Sequence, residues 1–142
     1  MRESSPRKPA LRDSPTVNIR RSMLRAECFA AICVARIALR LFPSHMLARA
    51  CAAVSNNSAH IDAISIANEF HRVVASHPLS TNCLHRAIAL QSVLRRRGAS
   101  ATLRIGVRRV EPMLPGHAWV EVDGVALEQA DDYIALHVGA IA

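Results

Sequence analysis

A cysteine and a histidine occupy settings in which a thiol and an imidazole could act as nucleophile and base. Cys83 lies in Ser80-Thr81-Asn82-Cys83-Leu84-His85-Arg86-Ala87, and His117 in Gly116-His117-Ala118-Trp119-Val120-Glu121. The thiolate, not the thiol, attacks a carbonyl, and a helix N-terminus favours it through unpaired N–H groups and the helix macrodipole. Ser80, Thr81 and Asn82 are all good N-cap residues, so whichever takes the cap, Cys83 falls in the first helical turn. A free cysteine is equally at home as a small buried hydrophobe, so the thiol alone does not separate chemistry from packing. The segment that follows supplies a base.

That segment reads as a helix and a set of strands. The helix runs from Cys83 through Leu84, Ala87, Ile88, Leu90, Gln91 and Leu94 and stops at Arg95-Arg96-Arg97-Gly98, with cations in its last turn and glycine just beyond. Cys83, Ala87, Leu90 and Leu94 share one face, so the thiol points toward the core side. From Ser100 to Val110, Ala101, Leu103, Ile105 and Val107 alternate with Thr102, Arg104, Gly106 and Arg108, the pattern of a half-buried strand. His117 to Val122 is a second strand, and Asp123-Gly124 turns it into a third. Three antiparallel strands packed on the Cys83 helix would bring His117 near the thiol. The backbone N–H of Cys83 is the natural donor to a developing oxyanion, and Asn82 or Gln91 could add a side-chain contact. Trp119 shares a strand face with His117, where it could wall a site or fill space.

Taken together, Cys83-Leu84-His85-Arg86-Ala87-Ile88-Ala89-Leu90-Gln91, Leu94-Arg95-Arg96-Arg97-Gly98, Ile105-Gly106-Val107 and His117-Ala118-Trp119-Val120-Glu121-Val122-Asp123-Gly124 resemble the B2 proteins of lasso peptide biosynthesis. These are small transglutaminase-like cysteine proteases that remove the leader from a ribosomally made precursor. The resemblance covers roughly residues 60 to 130. It implies an α+β fold in which N-terminal helices precede a transglutaminase-like or papain-like core, with a Cys-bearing helix packed on a small antiparallel sheet. It also implies Cys83 as nucleophile, His117 as general base, and a precursor peptide as substrate. The partners implied are a leader-binding B1 protein and a ring-closing, synthetase-like enzyme that uses ATP.

In the family an acidic residue follows the histidine by about a dozen positions, and that place is held here by Gln129, beside Glu128. Register separates the two. If Asp123-Gly124 is a two-residue turn, Trp119 opposes Glu128, whose side chain shares the His117 face and would orient the imidazole. If the turn closes as a three-residue loop with a bulge, His117 opposes Gln129, whose amide carbonyl could hold the ring as a neutral asparagine does in papain-like enzymes. Glu128 is the narrow preference. An acyltransferase that passes the thioester to an amine would present the same residues, and a non-catalytic peptide-binding module of the same fold would tolerate the altered acid.

Composition frames these expectations. The 142 residues, half of them hydrophobic at 51%, suit a single core. Cys28, Cys33, Cys51 and Cys83 form no CxxC pair, and the scattered histidines form no HExxH set, so neither a disulfide framework nor a metal is expected, and the cysteines fit a reducing cytoplasm. The five glycines never cluster, so no phosphate-binding loop and no cofactor is expected. The net charge of +7 comes from seventeen arginines and one lysine. Much of it lies near the start, and residues 1–20 read as a disordered basic tail. Residues 21–58 read as a helical N-terminal segment and 59–142 as the protease core. Three phenylalanines, one tyrosine and one tryptophan offer few stacking platforms, so nucleic acid is not the expected partner. An acidic stretch of a leader peptide would meet the charge instead. Ser22 to Phe42 is a helix whose longest uncharged run, Cys28 to Ala35, is far short of the roughly 20 residues a membrane span needs. Its broad apolar surface suits either burial or a docking partner. A shorter helix is expected over Ser44 to Val54, a loop over Ser55 to Ser58, and a further helix over His60 to Ser76.

Overall fold

A computed structural model describes residues 15–43, 62–77, 81–108, 115–128 and 130–136. The tail before residue 15, the expected short helix and loop between residues 44 and 58, and Gln129 lie outside these. Three helices and four strands are described: α1 (Pro15–Leu41), α2 (Ala63–Ser76), α3 (Cys83–Arg96), β1 (Ala101–Val107), β2 (Gly116–Val122), β3 (Val125–Ala126) and β4 (Ile134–Leu136). The strands form one antiparallel sheet in the order β3-β2-β1-β4.

Helix α1 starts at Pro15, inside the stretch expected to be tail. Proline is suited to a first helical position because its missing N–H has no intrahelical acceptor there, so a Pro- and Arg-rich segment can open a helix. One face of α1 carries Cys28, Ala31, Ile32 and Ala35 into the core, and these residues share a single cluster with α2, α3 and the sheet. The first helix is therefore built into the same core as the rest. Its opposite side leaves Ile19, Met23, Val34, Ile37 and Leu41 exposed.

Asp62 caps α2 by accepting from the Ser65 N–H, and Phe70 and Val73 are buried beneath it. Helices α1 and α2 are also clamped by charge. Glu69, 3% exposed, accepts from Arg25 Nε and from Arg72 Nη1 at 2.8 Å, with Arg21 Nε at 3.4 Å. The Arg25 hydrogen bond, against the opposing effect of burial, holds the Glu69 carboxyl below the usual carboxylate range.

Helix α3 lies against α1 on one side and the sheet on the other. Ala87, Leu90 and Leu94 are wholly buried, as their common face with Cys83 requires. Burying a side chain such as Leu90 contributes about 1.5–3 kcal/mol. The helix ends with Gly98 N–H donating to Arg95 O and Ala99 N–H to Leu94 O, and the chain reverses at once into β1. Two side chains fix this reversal, since Gln91 Nε2 and Arg95 Nε each donate to Ala101 O at 3.1 Å. Strands β2 and β3 meet across Asp123 and Gly124, whose φ values of 52° and 79° are those of a two-residue type I′ turn, with Val122 opposite Val125.

Candidate active site

Topology brings the two candidate residues to one end of the layers. Helix α3 has 14 residues and is about 21 Å long; β1 has seven and runs back about 23 Å. The C-terminal end of β1 therefore returns to the level of Cys83. Antiparallel pairing sets Gly106 opposite His117, so the start of β2 is at that same end. Cys83 is the first residue of α3, half-buried against the edge of the core, and its thiol is free. Asn82 takes the cap, with its side-chain oxygen accepting from the His85 N–H at 3.0 Å and also from the His85 ring. The Asn82 side-chain oxygen is thus committed to the helix end, and Gln91 to Ala101 in the core. The Cys83 N–H, at the first position of α3, has no intrahelical acceptor and is free to donate to an oxyanion.

The faces of the strands differ sharply. Ala118 and Val120 turn into the core with Ala101 and Leu103. Alternation sends His117, Trp119 and Glu121 to the other face, beside Gly106 and Arg104 of β1. There His117 is held between aromatic rings: the Tyr133 centroid is 4.8 Å away, and Trp119 is 6.1 Å away with its plane only 17° off. Arg108 places its guanidinium 5.7 Å from the Tyr133 ring centre. Trp119 is pinned in turn, because its Nε1 donates to Glu121 Oε1 at 3.1 Å and Glu121 Oε2 accepts from Arg104 Nε at 2.8 Å. Gly106 makes this possible. A Cβ there would lie 2.8 Å from the indole and 2.6 Å from the Ile134 carbonyl oxygen.

The two-residue turn that the register argument required for Glu128 is present, yet it does not deliver Glu128 to His117. Strand β3 ends at Ala126 and the chain bends over Leu127 and Glu128, so the alternation stops short of the glutamate. Leu127 N–H still donates to Val120 O, but the Glu128 carboxylate turns to α2, with Oε1 3.6 Å from His71 Nε2. That oxygen is buried and has no hydrogen-bond partner among the described residues. No hydrogen bond among the described residues joins Cys83 to His117, and none joins Glu128 to His117. Sequence reasoning missed Tyr133 and β4. The signal available was that Tyr133 is the only tyrosine of the chain and opens a short apolar run, Ile134-Ala135-Leu136.

Electrostatics mark out the buried Cys28 and the mouth of α3. Cys28 is wholly out of water, and burial, reinforced by Glu27, pushes its thiol up to about 11, so it is inert at neutral pH. His85, beside Cys83, is held below its ordinary value by burial and by the Arg36 and Arg40 cations. Among the described residues no helix is long and apolar enough to cross a membrane, and no three His, Cys, Asp or Glu side chains are grouped as metal ligands.

No curated protein and no solved structure matches the chain. The family model described as the transglutaminase-like superfamily matches residues 29–138, a stretch that takes in the C-terminal half of α1, all of α2 and α3, and the four strands. With a cysteine opening the helix that packs on the sheet and a histidine on the neighbouring strand, the chain belongs to the transglutaminase-like superfamily.

Proposed function

We propose that the chain is a cysteine peptidase that removes the leader from a lasso peptide precursor in the cytoplasm, with Cys83 as nucleophile and His117 as acid and base. The superfamily fold is compatible with a cysteine peptidase or an acyltransferase. The observation that supports the reading is the placement of Cys83 at the first position of α3 and of His117 at the same end of the layers, though on the sheet face turned away from the core, within a run of motifs that resembles the lasso B2 proteins. With its proton passed to the His117 imidazole, Cys83 Sγ attacks the scissile carbonyl carbon as the thiolate, and the charge that develops on the carbonyl oxygen meets the Cys83 N–H. As the C–N bond breaks, the His117 imidazolium gives its proton to the leaving amine. Water, deprotonated by His117, then attacks the thioester and releases the carboxylate and the thiol. Orientation of the imidazole is assigned to Trp119 and Tyr133. The precursor, a leader-binding B1 protein and a ring-closing synthetase-like enzyme are the proposed partners.

The Glu128 contact with His71 favours a second reading, a peptide-binding module that keeps the fold without the chemistry. Precursor incubated with the leader-binding partner and either wild-type chain or Cys83→Ala decides between them by mass spectrometry. The peptidase reading expects cleavage to fall by at least about a thousandfold in Cys83→Ala with peptide binding retained. Unchanged processing by Cys83→Ala sinks it. A wild-type product heavier by an amine rather than by water would assign acyl transfer instead.

A further inference from the structure

Beside Cys83 the first turn of α3 and the C-terminal half of α1 enclose a cleft of about 590 Å³, lined by Arg36, Leu39, Arg40, Asn82, Leu84 and His85. The volume falls within the roughly 300–1,000 Å³ of clefts that hold small ligands. A shallower, apolar groove of about 300 Å³, with Cys33 and Ile37 in its wall, adjoins it, and Arg36 and Arg40 line both. Half of the twelve arginines among the described residues pair with a carboxylate: Arg21, Arg25 and Arg72 with Glu69, Arg97 with Glu27, Arg104 with Glu121, and Arg108 with Asp132. Arg36 and Arg40 have no carboxylate partner among the described residues. Two like charges one helical turn apart repel each other, and nothing in α1 or α3 offsets them. Both cations also act on His85 across the cleft and help to keep that ring neutral, so the cleft does not gain its charge from the histidine.

We propose that this cleft binds an acidic segment of a peptide, whose carboxylates pair with Arg36 and Arg40 while its apolar side chains rest on Leu39, Leu84 and Ile37. Guanidinium groups accept carboxylates in two-point hydrogen bonds, and the aliphatic walls suit side chains rather than bases. No Phe, Tyr or Trp lines either hollow, so the large stacking platforms that single-stranded nucleic acid relies on are missing there. The inference rests on the Cys83 reading in one respect only, that the bound peptide is the substrate. A segment held here would deliver the adjoining backbone to the thiol next to Asn82, and the enzyme would then prefer precursors with Asp or Glu close to the cleavage point.

The test uses the full chain carrying Cys83→Ala, so that binding is read without turnover. Fluorescence anisotropy is measured with a rhodamine-labelled Leu-Glu repeat hexapeptide, its Leu-Gln counterpart, and a labelled twelve-nucleotide oligothymidylate. The expected result is that the glutamate peptide binds at least about tenfold more tightly than the glutamine one, and that Arg36→Glu with Arg40→Glu removes at least that factor. Arg36→Lys with Arg40→Lys should retain part of the binding, which also guards against loss through misfolding, as do unchanged melting curves. Equal binding of the two peptides overturns the proposal. So does loss of binding through Arg7→Glu with Arg12→Glu while the cleft variant still binds, since the tail would then be the site. Oligothymidylate held more tightly than the glutamate peptide, through Arg36 and Arg40, overturns it in favour of nucleic acid. Precursor cleavage is scored separately: binding without cleavage fails the Cys83 reading alone, and cleavage without this binding fails the cleft alone.

Discussion

Two glutamates held largely out of water, Glu69 in the helical layer and Glu128 at the end of the sheet, are treated in opposite ways. Glu69 is ringed by Arg21, Arg25 and Arg72, and both of its oxygens accept hydrogen bonds from guanidinium groups. Glu128 Oε1 stands 3.6 Å from His71 Nε2 and is buried without a hydrogen bond among the described residues. A buried acceptor left unmatched costs about 1–3 kcal/mol, whereas a charged hydrogen bond contributes about 1.5–3 kcal/mol. The first carboxylate is therefore spent on joining α1 to α2. The second contributes little to stability where it stands and keeps capacity to accept a proton donor. The same contrast holds between the α1–α2 junction, which is closed by aliphatic packing and the saturated Glu69 charge, and the outer face of the sheet, where His117, Trp119 and Tyr133 are held by ring contacts and one Glu121 bridge.

The largest effect expected is on the saturated side. Glu69→Gln should lower stability by about 2–3 kcal/mol at pH 7, read by urea unfolding followed by circular dichroism, a figure discounted because the arginines are half-exposed. The pH dependence has a definite sign. The folded carboxyl is held below its ordinary value, so its contribution is full above the unfolded range near pH 4.3 and is lost as pH falls through the lower folded value. The difference between wild type and Glu69→Gln should shrink on acidification. A difference that is flat in pH would show that the arginines do not hold the charge. Next in size is Gly106→Ala on the outer face. Its methyl would meet a backbone oxygen and the indole, so a loss of about 1–2 kcal/mol is expected, with a shift in the emission of the single tryptophan. If the emission stays put, the indole is not the group that gives way, and the ring cage around His117 is looser than its contacts imply.

What could be read from the chain was what local pattern determines. The stop at Gly98, the alternation of β1 and the Asp123-Gly124 turn are each set by neighbours within a few residues, and each is present. The cap was narrowed to three residues and is Asn82, because only one side chain can reach the His85 N–H. The start of α1 was missed because proline and arginine signal a tail by composition while Pro15 acts by position. Strand β4 was missed because three exposed residues carry no period, and only pairing with Ile105, Gly106 and Val107 makes them a strand. Glu128 differs in kind: it lies two residues past the end of β3, where alternation no longer sets the side-chain direction, and no local signal sets the length of that strand.

The smallest effect on stability, and the one that bears most on the site, belongs to Glu128→Gln. Removing the charge should change the unfolding free energy by less than about 1 kcal/mol, because the carboxylate gains little from His71 and its Oε1 is already unmatched. A cost as large as that of Glu69→Gln would erase the contrast between the two glutamates. Activity is the sharper measure. An acid that orients a catalytic imidazole is worth on the order of 10⁴-fold in rate when only its charge is removed. The contacts of His117 are with Tyr133 and Trp119, so Glu128→Gln is expected to keep precursor cleavage within about tenfold of wild type, and Tyr133→Leu to lose more. A collapse of cleavage in Glu128→Gln at unchanged stability would mean that the glutamate leaves His71 for His117 when substrate binds. The contrast drawn from the two carboxylates would then describe the waiting enzyme, with the unmatched oxygen as the part of Glu128 held in reserve for the imidazolium.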